Sequence, residues 1–220
     1  MPVYALLLVY TTLLSITTEI LTFFARPVNT GMTIHRIHGS DAEVVPAAFP
    51  NLWQVTNCFD SPTFGWLNQR FLDHDEQWHR HSDCLEYRLQ LMPESKSQKQ
   101  LTYMGHLLTE PMQEIVGKKL TPVMSKLWMD LPYFHCPYHH DADYLTVTYQ
   151  VYLWCYGGIV PGTSFCKEPG TTGPGQSEEL EIPFVPNTGY INLNVDQKVH
   201  HAKRADGLRV SVCWQWTAKM

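Results

Sequence analysis

No C-x-x-C pair occurs in this chain of 220 residues, and its six cysteines, Cys58, Cys84, Cys136, Cys155, Cys166 and Cys213, stand far apart. That excludes a zinc ribbon, and in a chain this long the cysteines read as reduced, half-buried small residues rather than a disulfide framework. Positive charge is also scarce. Lys and Arg number 16 against 21 Asp and Glu, a net charge of −5, so no basic surface recommends nucleic acid as a partner. There are no internal repeats, and past residue 31 no apolar run is long enough to cross a bilayer. What remains, 44% apolar and 17% charged, is the balance of a globular chain and excludes a disordered one.

The first 31 residues differ from the rest. They are apolar, with no base before Arg26 and only Glu19 interrupting the run. A signal peptide is a poor match, lacking a basic start and a small-x-small cleavage site. A membrane anchor has the length but carries Glu19, at a cost of about 2–3 kcal/mol. The third reading is an upstream extension, with translation beginning at Met32. The expectation is an intracellular, cytoplasmic protein, with attachment to a membrane through 1–31 as the alternative.

From residue 33 to 59, β-branched and aromatic residues between Pro and Gly breaks read as one or two short strands. A helix starts at Ser61, with Phe64, Trp66, Leu67 and Phe71 at roughly helical spacing. Glu86 to Met92 alternates and reads as a strand, and "ESKSQKQ" as a solvated loop. Met112, Ile115, Val116, Leu120, Val123, Met124, Leu127 and Leu131 then predict an amphipathic helix, with Pro111 in its first turn and Pro122 kinking it. After Tyr133 the texture changes to short strands separated by Pro/Gly turns, including "YLTVTYQVYLW", "GTSFC", "LEIPFV", "GYINLNV", "VHHAK" and "LRVSVCWQW". "EPGTTGPGQSEE" reads as a loop on the rim. The fold class is mainly β with supporting helices, an antiparallel sandwich or jelly roll.

Chemistry concentrates at "YHHDADYL". Side chains two apart on a strand share a face, so His139 and Asp141 point together and His140 points away. An imidazole and a carboxylate are two-thirds of a 2-His-1-carboxylate site, which suits Fe(II). The third ligand comes from another strand, where His200 and His201 stand side by side; Asp143 is a further candidate on the face of Asp141. Downstream, Arg209 and Ser211 share a face of the last strand. An Arg there needs a carboxylate partner, and its planar fork suits one.

The ordered series of H-x-D (His139, Asp141), Tyr152-Leu153, Gly162-Thr163-Ser164-Phe165, Pro186-Asn187-Thr188-Gly189-Tyr190, a distal His200 and R-x-S (Arg209, Ser211) resembles the Fe(II)- and 2-oxoglutarate-dependent oxygenases, prolyl-hydroxylase-like members among them. The resemblance covers roughly the C-terminal third. It implies a double-stranded β-helix, cupin-like, with residues 32–220 as a single oxygenase domain: helical support over 32–131 and the β-helix core over 132–220. His139, Asp141 and His200 would hold iron, with His201 the alternative to His200. Arg209 would pair with the distal carboxylate of 2-oxoglutarate, helped by Ser211 and Tyr152. The implied reaction consumes 2-oxoglutarate and O2, releases succinate and CO2, and hydroxylates a C–H bond of a small molecule or peptide. Asp141 in place of Ala or Gly leaves no ligand position for halide.

The other readings are plainer. His74, His79, His81, His106, His135 and His140 are ordinary histidines, and "HRHSDC" has no supporting partner. Trp128, Trp154, Trp214 and Trp216 are core or pocket wall. Arg88, in "EYRLQL", is a candidate substrate contact. Two other functions compete: a metal-dependent phosphohydrolase, for which "DHD" at 73–75 and "HHD" at 139–141 offer His-Asp dipeptides, and a catalytically inactive jelly-roll binding module.

Overall fold

A computed structural model describes residues 33–36, 49, 51–72, 78–80, 87–166, 179–194 and 199–218. The leader 1–31, "DHD", the last four residues of "HRHSDC" and almost all of the Gly/Pro rim segment fall outside these residues.

The elements in chain order are β1 (Thr33–Arg36), β2 (Leu52–Thr56), α1 (Ser61–Leu72), β3 (Trp78–Arg80), β4 (Arg88–Leu91), α2 (Lys96–Leu107), α3 (Thr109–Val116), β5 (Leu120–Asp130), β6 (Cys136–His139), β7 (Val147–Tyr156), β8 (Thr163–Cys166), β9 (Glu179–Ile182), β10 (Thr188–Leu193), β11 (Val199–Ala202) and β12 (Leu208–Ala218). They form two antiparallel sheets. The larger runs β1-β2-β10-β7-β12-β5-β4-β3 and the smaller β6-β11-β8-β9. The mainly β, jelly-roll expectation is met.

The middle of the larger sheet, β10, β7 and β12, is buried on both faces, and β12 shows how. Val210, Val212, Trp214 and Trp216 enter an apolar core with Leu101, Met104 and Leu108 from the α2 region and Met112 from α3. The alternate residues Arg209, Ser211, Cys213 and Gln215 line a pocket facing the smaller sheet. The helices are tied to their face by polar bonds as well: Trp214 Nε1 donates to the Leu101 carbonyl at 2.9 Å and Trp216 Nε1 to Thr109 Oγ1 at 3.0 Å. Gly105 lets α2 approach closely, since a Cβ there would stand 3.0 Å from Trp214 Cδ1. A second apolar cluster, including Tyr152, Phe165 and Tyr190, fills one end of the space between the sheets.

Two local expectations are corrected. The long helix over 112–131 stops at Val116, where Gly117 adopts φ 67° and returns its N–H to the Gln113 carbonyl, a left-handed cap. The residues after it form β5, which pairs with β12 along almost its whole length. The apolar residues of β5 fall on both faces of the strand, although only Leu120, Leu127 and Asp130 are fully buried, so the period alone does not decide. Pro122, lacking an N–H, is accommodated where the β5–β12 register shifts between Gln215 and Trp216. The segment read as a solvated loop instead starts α2: Ser95 Oγ accepts the Gln98 N–H at 3.0 Å, the first half of an S-x-x-Q capping pattern. Among the described residues, no helix is long and apolar enough to cross a membrane.

Candidate metal centre

The smaller sheet brings the histidines together by register. His139, the last residue of β6, is the cross-strand partner of His200 on β11, and their rings lie 4.2 Å apart between centroids. Asp141 lies beyond the end of β6, in the connection to β7. Its convergence with His139 therefore comes from the turn rather than from strand alternation. Asp141 Oδ1 stands 3.9 Å from His200 Nε2, and Oδ2 accepts a hydrogen bond from Thr148 Oγ1 at 2.7 Å. Ligand atoms of His139, Asp141 and His200 all lie within 4.8 Å of one another. Two atoms bound to one ion at about 2.1 Å are at most about 4.2 Å apart, so this trio needs only a small closure to share a cation. Two imidazoles and one carboxylate are the donor set that suits ferrous iron.

His201 also borders the pocket but is not one of the converging residues, and its ring lies 4.1 Å from that of the exposed Tyr138. Asp143 is exposed and is not one of the converging residues. His106, His135 and His140 are at the surface.

Across the pocket from the trio, the larger sheet holds an ionic rung. Arg88 on β4, Asp130 on β5 and Arg209 on β12 stand directly opposite one another. Arg88 grips Asp130 with two bonds, Nε to Oδ1 at 2.6 Å and Nη2 to Oδ2 at 3.0 Å. Arg209 Nε donates to Asp130 Oδ2 at 2.8 Å, and its Nη1 to the Pro161 carbonyl at 2.8 Å. Asp130 is 2% exposed and Arg209 4%. Burial works against the Arg88 charge, but the charge of Asp130 and the hydrogen bonds to it prevail and hold its pKa above the ordinary value. The rung thus contains two permanent cations and one carboxylate.

The expected partnership of Arg209 with Ser211 is seen in so far as both line the pocket. Ser211 Oγ accepts from Gln150 Nε2 at 3.3 Å, and Gln150 Oε1 accepts from the Tyr190 hydroxyl at 2.8 Å. Tyr152 is placed differently. Its hydroxyl accepts the Thr163 N–H at 3.1 Å and donates toward Thr163 Oγ1 at 2.9 Å, while Phe184 stacks on its ring. Burial pushes its phenol up to about 12. Thr163, rather than Tyr152, is part of the pocket lining.

Sequence reasoning missed Asp130 altogether and gave Arg88 only a substrate contact. The available signal is the alternation of Lys126, Trp128 and Asp130 with Leu127 and Met129, which the helical spacing of the apolar residues from Met112 to Leu131 masks.

No protein-family model matches the sequence, and no curated protein matches it. Solved structures do. The non-heme alpha-ketoglutarate-dependent epimerase SnoN from nogalamycin biosynthesis superposes with a TM-score of 0.58 at 15% identity, covering 76% of this chain and 78% of that one. HygX from Streptomyces hygroscopicus, with nickel and 2-oxoglutarate bound, gives 0.58 at 10% identity over 77% and 84%. A Pseudomonas putida prolyl-4-hydroxylase gives 0.51 at 13% identity over 77% and 94%. The chain accordingly has the jelly-roll fold of the iron- and 2-oxoglutarate-dependent oxygenases.

Proposed function

We propose that this protein is an Fe(II)- and 2-oxoglutarate-dependent dioxygenase that hydroxylates a C–H bond. The observation that carries this reading is a converging His139, Asp141 and His200 facing, across one pocket, a buried ionic rung with a surplus positive charge. His139, Asp141 and His200 would hold iron. Arg209, with three of its five N–H groups beyond those given to Asp130 and Pro161, would take the distal carboxylate of 2-oxoglutarate, and Ser211 would add a hydroxyl.

The charges support the same reading. A divalent ion with two neutral imidazoles and Asp141 leaves one positive charge. The Arg88–Asp130–Arg209 rung leaves another. A dianion with its charges at opposite ends neutralises both, and a buried site with both ends unmatched would be costly.

Bound iron, with 2-oxoglutarate and O2, supplies an oxidant that places one oxygen atom in succinate and the other in the hydroxylated substrate, releasing CO2. The chain's own residues bind and orient. Thr148 fixes one oxygen of Asp141, the Gln150–Tyr190 pair holds Ser211, and the apolar cluster of Tyr152, Phe165 and Tyr190 closes one end of the space between the sheets. Asp141 occupies the position whose loss would admit halide, which favours hydroxylation over halogenation.

The substrate is a small molecule or a peptide. HygX is described with hygromycin B bound and the Trichoplax adhaerens prolyl hydroxylase with a peptide fragment, so both kinds enter this fold. A net charge of −5 gives no support to nucleic acid. The phosphohydrolase reading needs His140 and Asp141 on a helix, and they follow strand β6 instead.

The test is turnover of 2-oxoglutarate to succinate by protein purified anaerobically and loaded with Fe(II), before any substrate is known. Slow uncoupled succinate formation that disappears in His139→Ala and Asp141→Ala supports the proposal. No succinate above those controls, together with no metal-linked binding of 2-oxoglutarate, rejects it in favour of a binding module.

A further inference from the structure

We infer that Asp130 and Arg88 are positioning residues for the co-substrate: Asp130 orients Arg209, and Arg88 neutralises Asp130 so that the charge of Arg209 stays available to a carboxylate. This rests on the dioxygenase reading of the site.

Arg209 and Asp130 alone would form a closed pair. Their contact is short, 2.8 Å, and both are buried, so a neutral couple would offer an incoming carboxylate little attraction. Arg88 changes that balance. It meets both oxygens of Asp130, so one carboxylate is shared between two guanidinium groups and one positive charge is left over.

Geometry decides which guanidinium carries the surplus to a ligand. The Nε and Nη2 of Arg88 are both directed at Asp130. Two aromatic rings pack against it as well, with Cζ 4.3 Å from the Trp128 ring and 4.3 Å from the Phe134 ring. Arg209 has Nε on Asp130 and Nη1 on Pro161, and it lies on the same face of β12 as Ser211, toward the pocket. The bond at Nε fixes the plane of that guanidinium and hence the direction of its remaining donors. Lys126, two rungs along, is half-buried and takes no part in these bonds. Arg88 and Arg209 both line the pocket; the paired bonds to Asp130 and the ring contacts hold Arg88 as the fixed counter-charge, and Arg209, on the face of Ser211, meets the ligand.

The experiment is 2-oxoglutarate binding, measured calorimetrically without O2 on protein loaded with Mn(II), together with Mn(II) affinity and thermal melting. Arg88→Met leaves Asp130 to neutralise Arg209, and 2-oxoglutarate binding should weaken about tenfold or more with Mn(II) affinity unchanged. The double variant Arg88→Met/Asp130→Asn removes one charge of each sign and restores the surplus. Its binding should return to within about threefold of the parent protein, a recovery that a merely structural role for Arg88 would not produce. If Arg88→Met does not fold, the double variant decides alone: near-parental binding supports the inference and weak binding overturns it. Parental binding that Arg88→Met leaves intact overturns this inference only. A parent protein that binds no 2-oxoglutarate overturns the dioxygenase reading and this inference with it.

Discussion

His139 Nδ1 lies 2.9 Å from the carbonyl oxygen of Pro137, two residues back on the same strand. A carbonyl can only accept, so Nδ1 carries the proton and Nε2 presents its lone pair. This is the arrangement a metal-ligating histidine requires, with backbone fixing ring and tautomer together. His139→Ala, Asp141→Ala and His200→Ala should each reduce bound Fe(II) or Mn(II) to background, while His201→Ala should retain it. Metal content after anaerobic gel filtration is the measurement. Retention in His200→Ala with loss in His201→Ala would transfer the distal role to the neighbouring imidazole.

Thr148 makes a milder test of the same centre. Its hydroxyl donates to Asp141 Oδ2 and lies 3.3 Å from Gln215 Nε2. Thr148→Val keeps the shape and removes the bond, so metal affinity should fall about 10- to 100-fold with the fold intact. Equal Mn(II) affinity in the variant and the parent would show that Asp141 needs no such support.

Removing Arg209 should act on the other end of the pocket. Arg209→Ala strands Asp130 on Arg88 alone and deletes the surplus charge, and 2-oxoglutarate binding should weaken by about 2–4 kcal/mol. Metal binding should be unchanged. Calorimetry on the Mn(II) form reads both, and undiminished co-substrate affinity would reject the assignment.

Tyr152→Phe separates a structural role from a co-substrate contact. The hydroxyl accepts the Thr163 N–H at 3.1 Å in a fully buried setting, so its loss should cost about 1–3 kcal/mol of stability. The affinity for 2-oxoglutarate should stay at the parental level. A large drop in affinity without a drop in melting temperature would show instead that the phenol reaches the ligand.

Stability should decline in alkali for a definable reason. Burial raises the Cys58 thiol from 9.0 to about 12 and the Tyr152 phenol from 10.0 to about 12. Above pH 9 the unfolded chain releases the Cys58 proton while the native chain keeps it, so the native state binds more protons and stability falls as pH rises. The contribution is complete below pH 9 and is lost as pH climbs toward 12, at up to about 1.4 kcal/mol per pH unit per group. Denaturant melts from pH 7 to 10.5 should show this fall; burial raises the Cys136 and Cys213 thiols as well, so Cys58→Ala should lessen its first part, between pH 9 and 10, without abolishing it.

The C-terminal strands and the residues that converge in the pocket were readable because each announces itself locally. β7, β10 and β12 are rich in β-branched and aromatic residues between Gly and Pro turns, and His139, Asp141, His200 and Arg209 occur in a fixed order. The choice of His200 over His201 became geometric only with the pairing of β11 and β6. β5 was not readable in the same way. Its apolar residues satisfy both periods, and what made it a strand was β12 lying beside it, a partner about 90 residues away in the chain. With β5 went Asp130, and with Asp130 the meaning of Arg88. Ser95 and Gly117, by contrast, carried ordinary start and stop signals for helices that the apolar pattern overrode.

Strand β12 gives alternate residues to opposite tasks, Val210, Val212, Trp214 and Trp216 to the helices and Arg209, Ser211, Cys213 and Gln215 to the pocket. A deletion or insertion of one residue within it would exchange the two sets, driving a guanidinium into the oily layer and indoles into the ligand space. Only replacement of one side chain by another keeps both sets on their own sides of the sheet.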